Sequence, residues 1–274
     1  YHKTFNNYKN TKFKFFFQYL TKNGIAILND NIKQISIIKK ELKKRNIKII
    51  SYGKSNSDIN CNYFKKKVLL KIYSDFYSIN FNITNNFELH NLSCAICCSL
   101  AAGLTISQII KSIPKINNAE GRMQRLNTLF NGSKIFVDYA HTPDALKNIL
   151  VSKFNQNKKP NLVFGCGGNR DKRKRIKMGQ IANKYANKIY ITDDNPRNEN
   201  PYDIRKAIHS HCLRAINIGD RFVAIKTAVN DLKSKETLII AGKGHEKKQI
   251  IKNKIVDFDD SKVANYFIKK RNKK

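Results

Sequence analysis

An α/β fold in two parts, the second built on a mostly parallel sheet, is predicted by three features of the 274-residue sequence. From Lys134 onward, short apolar runs alternate with amphipathic stretches of helical spacing. Polar clusters follow four of those runs, where open α/β sheets bind ligands. Ahead of this region, beyond Pro114, Asn117-Asn118-Ala119 reads as a linker.

The first part, to about residue 116, is mixed α/β. Residues 8–20 have helical spacing, with Gly24 as a stop, and 25–28 form a short buried strand. A second strand is expected over 48–51, a hairpin region of alternating polarity over 61–83, and an apolar helix over 89–103 ended by Gly103. A short amphipathic helix over 105–112 precedes Pro114. In the second part, strands over 134–137, 161–164, 188–192 and 237–241 alternate with helices over 143–154, 174–186, 201–215 and 220–232. That rhythm implies a parallel sheet covered on both faces. No internal repeat is present, and residues 269–274 read as a low-complexity basic tail.

Composition narrows the function classes. Hydrophobic residues make up 41% and aromatics 10%, enough for real cores. The longest apolar stretch, 92–104, is shorter than the ~18 residues that span a bilayer, so no membrane association is expected. The start, Tyr1-His2-Lys3, is not a signal peptide, and a chain beginning at Tyr suggests sequence lost upstream. Of six cysteines, Cys94, Cys97 and Cys98 fall in the apolar helix, and none shows zinc-ribbon spacing. They read as buried reduced thiols of a cytoplasmic protein. The net charge of +33 raises a nucleic-acid hypothesis. The lysines are spread along the whole chain among Asn, Ile, Phe and Tyr, residues that share A/T-rich codons. Codon bias therefore suffices, and no nucleic-acid partner is expected.

The chemistry sits behind the strands. After Val137 comes Asp138-Tyr139-Ala140-His141-Thr142-Pro143-Asp144; after Phe164, Gly165-Cys166-Gly167-Gly168-Asn169-Arg170-Asp171-Lys172. After Thr192 comes Asp193-Asp194-Asn195-Pro196-Arg197, and after Ala241, Gly242-Lys243-Gly244-His245-Glu246. Singly, each makes an ordinary turn or helix cap. Together, on one sheet edge, they describe a cleft for anionic and zwitterionic ligands.

These segments, with Gly121-Arg122-Met123, resemble the signature segments of the Mur ligases, in family order and at family-like spacing. The match is to members that add the third residue of the muramyl peptide. Upstream, Tyr1-His2, the stretch from Tyr8 to Lys12, Asn29, Phe87 and Asn91-Leu92 extend the resemblance over essentially the whole chain. Gln124, Arg173, Ile176, Lys3 and the pair Asp30-Asn31 depart from the family pattern. The resemblance implies that residues 1–116 are the C-terminal portion of a P-loop-type central ATPase domain lacking its P-loop. Residues 117–274 would be a Rossmann-like C-terminal domain that binds the incoming amino acid.

The implied reaction is ATP-dependent amide formation in peptidoglycan biosynthesis. meso-2,6-Diaminopimelate would be joined to UDP-N-acetylmuramoyl-L-alanyl-D-glutamate through an acyl phosphate, with Mg²⁺ as cofactor. By the same resemblance, Lys12 would be carbamylated and bind Mg²⁺. Asn91, Arg122, Asp138 and His141 would surround ATP, and Arg170 and Lys172 would face anions, Arg170 as part of the meso-diaminopimelate site. Asp194, Asn195, Pro196 and Arg197, with Gly242 and Glu246, would choose the amino acid. Arg197 would clamp the far carboxylate with two hydrogen bonds. No G-x-x-x-x-G-K-[ST] loop occurs, so the chain is expected to be a fragment, a split gene product or a remnant that does not use ATP alone. A separate N-terminal half is an implied partner. The alternatives are a lysine-adding or other Mur or folyl-type ligase, and a basic nucleic-acid-binding remnant. His209, His211 and Cys212 read as ordinary helix residues.

Overall fold

The protein, represented by a computed structural model, is described over residues 4–65, 67–81, 83, 86–116, 119–152 and 158–273. It divides into two compact units, Tyr1–Ile116 and Asn117–Lys274. Tyr1, His2 and Lys3, the linker pair Asn117-Asn118 and the expected helix end at Phe154 lie outside the described residues.

In the first unit, helix α1 (Phe5–Lys14) runs on into a π-helical turn, Phe15–Tyr19. Strand β1 (Ile25–Asn29), helix α2 (Ile35–Lys44) and strand β2 (Lys48–Tyr52) follow. Then come strands β3 (Ile59–Phe64), β4 (Lys67–Ile72) and β5 (Asp75–Ile79), and helices α3 (Asn86–Ala101) and α4 (Ile106–Ser112). The five strands form one sheet in sequence order, β1 to β3 parallel and β3 to β5 antiparallel. The expected hairpin over 61–83 is thus a three-stranded meander ending at Ile79.

Alternation along β1 divides the core. Ala26 and Leu28 pack with Ile38 and Leu42 of α2, while Ile25 and Ile27 face the cluster holding Leu92, Ile96 and Cys97 of α3. Each buried aliphatic side chain contributes roughly 1.5–3 kcal/mol. Helix α2 was not foreseen, although its apolar spacing, Ile35, Ile38 and Leu42, is helical.

The second unit starts with strand β6 (Gln124–Arg125), β7 (Lys134–Asp138), helix α5 (Pro143–Leu150), β8 (Asn161–Phe164) and α6 (Arg173–Tyr185). It continues with β9 (Ile189–Ile191), α7 (Pro201–His209), β10 (Ile216–Asn217), α8 (Arg221–Asn230) and β11 (Thr237–Ala241). A two-stranded hairpin, β12 (Lys248–Ile251) and β13 (Lys254–Asp257), and helix α9 (Asp260–Asn272) complete it. The six-stranded sheet has the order β10-β9-β8-β11-β7-β6, all neighbours parallel except β6 with β7. Residues such as Phe136, Val163, Tyr190 and Ile239 are buried whichever face they point to. One face carries α8 and α9, with Ala224, Ile225, Phe267 and Ile268 against Val137, Val163 and Ile240.

Three expectations need correction. The helix predicted over 201–215 stops at His209. Its end is closed by a turn in which Cys212 N–H donates to the His209 carbonyl, and a His209 ring nitrogen lies 3.2 Å from the Ala215 carbonyl. His211 and Cys212 therefore lie in a turn, not on a helix. Of the basic tail, Lys269, Lys270 and Arg271 form the last turn of α9, where Arg271 donates to the Val229 and Leu232 carbonyls. Its cations face the negative end of the helix dipole. All six cysteines are free thiols; Cys61, Cys97, Cys166 and Cys212 are buried, but Cys98 is exposed. Burial pushes Cys61 up to about 11 and Cys166 to about 12, as expected for inert thiols. No described helix is long and apolar enough to cross a membrane.

Candidate functional site

Because β7, β11, β8 and β9 lie side by side and parallel, their carboxyl ends open on one edge of the sheet. The four loops leaving that edge touch one another. The Gly168 N–H donates to the Asn195 carbonyl at 2.9 Å. A Cβ at Gly168 would overlap the Pro196 carbonyl oxygen, so only glycine lets these loops approach so closely. Across the same edge, Asn195 Nδ2 donates to Glu246 Oε2 at 2.9 Å, and Tyr139 Oη donates to Glu246 Oε1 at 3.4 Å.

The segment from Asp194 to Arg197 is the hub. Asp194 and Asn195 are buried. Asp194 Oδ1 accepts the Asn195 N–H at 2.7 Å, and its carbonyl accepts Gln249 Nε2 at 2.6 Å. Asn195 Oδ1 accepts the Ile250 N–H at 2.9 Å. Arg197 has a left-handed backbone, φ 51°, which costs a non-glycine residue about 1–3 kcal/mol. The hairpin offsets that strain: Arg197 N–H donates to the Ile250 carbonyl at 3.0 Å, and Lys252 N–H to the Arg197 carbonyl at 2.7 Å. The Arg197 guanidinium donates through Nη1 to the Gly168 carbonyl at 2.9 Å and the Asn195 carbonyl at 3.4 Å.

An open cleft of about 530 Å³ lies beside this hub, lined by Glu120, Asn195, Arg197, His245, Glu246, Lys247, Lys248 and Ile250. The size suits a small ligand. Its walls present carboxylates and cations together, the arrangement a zwitterion needs.

A second cluster borders it. The Arg122 guanidinium stacks 4.7 Å over the Tyr139 ring, which also meets the His141 ring at 4.7 Å and the His245 ring at 5.2 Å. His141 is exposed, with Nδ1 2.9 Å from the Tyr139 carbonyl, and its own carbonyl accepts Lys174 Nζ at 3.0 Å. Asp138 is buried and braces the cluster, accepting the Met123 and Ala140 N–H groups at 2.7 Å each. Burial raises its carboxyl above the usual range, against the pull of those amides and of Arg122. Gln124, which departs from the family pattern, still supplies an acceptor: its Oε1 receives the Gly121 N–H at 2.9 Å.

The structure thus brings together Asp194, Asn195, Pro196, Arg197, Gly242 and Glu246, and places Arg122, Asp138 and His141 next to them. Arg170 stands apart, exposed, its Nη1 donating to the Asn169 carbonyl at 3.3 Å. Lys12 and Asn91 belong to the first unit. Lys12 is exposed on α1 with Nζ 5.6 Å from the Tyr8 ring centroid, and Asn91 is exposed on α3.

Family models match both units: a Mur ligase middle domain over residues 1–99 and a Mur ligase glutamate ligase domain over 121–244. The chain belongs to the Mur ligase family. It is 42% identical over 98% of its length to the UDP-N-acetylmuramoyl-L-alanyl-D-glutamate--2,6-diaminopimelate ligase of Rickettsia montanensis, and 39% identical over 95% to that of Anaplasma marginale. It spans 57% and 55% of those relatives. A solved structure of a ligase of the same name superposes with TM-score 0.58 at 29% identity, over 98% of this chain and 57% of that one. MurF from Acinetobacter baumannii shares the fold alone, with TM-score 0.66 at 14% identity over 88% of this chain and 53% of MurF.

Several residues of the site were not singled out from sequence. Tyr139 joins the two clusters. Glu199 accepts the Asn169 N–H at 2.5 Å and pairs with buried Arg175 at 2.9 Å, fixing the glycine-rich loop. The hairpin carries Ile250 and Gln249. Tyr139 lay inside a recognised cluster; for the hairpin, strands of four residues leave too little pattern to read.

Proposed function

We propose that this chain provides the amino-acid-binding part of an ATP-dependent ligase that joins meso-2,6-diaminopimelate to UDP-N-acetylmuramoyl-L-alanyl-D-glutamate in peptidoglycan biosynthesis. The observation that carries the proposal is the placement of Arg197 and Glu246 on one cleft, linked through Asn195. meso-Diaminopimelate has an amino-carboxylate at each end. Arg197 spends only Nη1 on carbonyls among the described residues, which leaves Nε and Nη2 for the far carboxylate. Glu246 receives the ammonium beside it, while Asp194, Asn195, Pro196 and Gly242 shape the floor.

The adjoining Tyr139 cluster suits the nucleotide. Arg122 points donors outward to phosphate oxygens, His141 stands beside it with Nδ1 turned to the Tyr139 carbonyl, Asp138 has lone pairs for a ribose hydroxyl, and Arg170 and Lys172 add positive field. In the first unit, Asn91 would meet adenine and a carbamylated Lys12 would offer an oxygen ligand to Mg²⁺. In the reaction, the γ-phosphate passes to the D-glutamate carboxylate, and the bound amine attacks the acyl phosphate and expels phosphate. The cleft contributes by holding that amine in place and by neutralising charge around it. The described residues do not compose a Mg²⁺ site. Among the described residues no three His, Cys, Asp or Glu side chains come together to hold a metal, and a carbamate on Lys12 would supply only one arm.

Calorimetric titration of the chain with meso-diaminopimelate and with L-lysine tests the proposal. L-lysine leaves Arg197 unpaired, so it should bind about 2–3 kcal/mol more weakly. Arg197→Ala should lose that much for meso-diaminopimelate and almost nothing for L-lysine. Unchanged diaminopimelate affinity in Arg197→Ala would refute the assignment, and a preference for L-lysine would favour the lysine-adding reading.

A further inference from the structure

Gly242-Lys243-Gly244 is too short for a phosphate loop, yet its lysine is placed in an unusual way. Its side chain has no solvent exposure at all, a rare state for lysine. Both flanking glycines have positive φ, 118° and 55°, and the side chain between them lies inward against Asn195, Glu246 and Lys248, residues that line the cleft. There Nζ donates to the Lys248 carbonyl at 2.5 Å and to Asn195 Oδ1 at 3.5 Å, and it lies 3.6 Å from Glu246 Oε2. Burial lowers the pKa of this ammonium, with Asp194 opposing the shift and Arg221 adding to it. A cation is held there at a cost, and each of those three contacts is to a group that shapes the cleft.

We infer that Lys243 is a positioning residue: its sealed ammonium fixes Asn195 and Glu246 in the arrangement that receives the amino acid, and fastens the β12–β13 hairpin to them. The hairpin in turn supplies both backbone bonds that hold Arg197 in its left-handed conformation. One buried charge thereby ties together the two side chains assigned to the far end of the ligand. The inference rests on reading the cleft as the amino-acid site, whereas the tether to the hairpin stands on geometry alone.

Hydrogen–deuterium exchange of the wild-type chain, Lys243→Met and Lys243→Gln, paired with calorimetry using meso-diaminopimelate, separates the two. Exchange should quicken about tenfold in Lys248–Ile251, Lys254–Asp257 and residues 194–197, with Asn161–Phe164 and Thr237–Ala241 unchanged. Diaminopimelate affinity should fall about tenfold in Lys243→Met. Lys243→Gln keeps a donor, on a shorter side chain, and should lose less. Unchanged hairpin exchange, or a rise spread equally over the central strands, would overturn the inference in favour of a merely structural lysine. Failure of both variants to fold would do the same. If the wild-type chain binds no diaminopimelate while exchange changes only locally, the cleft assignment falls and the tether remains.

Discussion

Both units end parallel strands in polar residues, but only one of them leaves that chemistry open. Behind β1 and β2, Asn29 Oδ1 accepts the Asn31 N–H at 2.9 Å and Asn31 Nδ2 donates to the Gly53 carbonyl at 3.2 Å. Asp30 pairs with Lys39 at 2.6 Å and accepts Ser57 Oγ at 2.7 Å, while Asp58 takes both Ser51 donors. These groups close on one another. Behind β7, β8, β9 and β11 buried Asp138, Asp194 and Asn195 are also bonded, but they are spent on aiming Arg197, Glu246, Arg122 and His141 toward open space. A polar strand end becomes a site when its inner shell is satisfied and its outer shell is not.

The largest test of that contrast is the support beneath the second edge. Arg221 and Asp260 form a fully buried pair, Nε to Oδ1 and Nη2 to Oδ2 at 2.7 Å each, and Arg221 also grips the Ala241 and Asp193 carbonyls. It thus ties together two of the four site loops at their roots. Arg221→Met strands the Asp260 carboxylate and should cost about 3–5 kcal/mol, read from the denaturant midpoint. A loss below 1 kcal/mol would mean that the loops are held elsewhere.

Next in size is Gly168→Ala. Its Cβ forces apart the glycine-rich loop and the Pro196 backbone, a strain of about 1–3 kcal/mol, and should weaken diaminopimelate binding in the same calorimetric assay. Asn31→Ala, at the closed edge, should cost about 1 kcal/mol of stability and leave that affinity unchanged. Equal effects of these two variants on binding would erase the contrast between the edges.

The smallest effect is one of pH. Burial works against the Glu199 carboxylate, but the Asn169 amide and the Arg175 guanidinium hold it below its ordinary value of 4.5. Its contribution to stability is present above that value and is lost as pH falls through the lowered one. Denaturant midpoints of wild type should therefore drop on acidification below pH ~4.5, with Glu199→Gln showing a shallower drop.

Much of this was readable from residues alone, and the reasons are local. The runs Ile135-Phe136-Val137 and Leu238-Ile239-Ile240 declare buried parallel strands, and parallel strands place their carboxyl ends on one edge whatever the helices do. Asn195 and Arg197 were legible as part of a cluster. What they touch was not, because the Glu246 and Gly168 contacts span tens of residues of sequence. Lys243 looked like one lysine among many, since nothing in a sequence distinguishes a buried ammonium from a solvated one. The end of α7 at His209 was missed because apolar spacing continues through Cys212 and Ala215 while the backbone has already turned.

A crystal structure of the chain soaked with meso-diaminopimelate bears most directly on the central claim. It should show one ligand carboxylate on Arg197 and an ammonium within hydrogen-bond distance of Glu246, in the cleft beside Asn195. Ligand bound elsewhere, or held with Arg197 still engaged only by the Gly168 and Asn195 carbonyls, would contradict it.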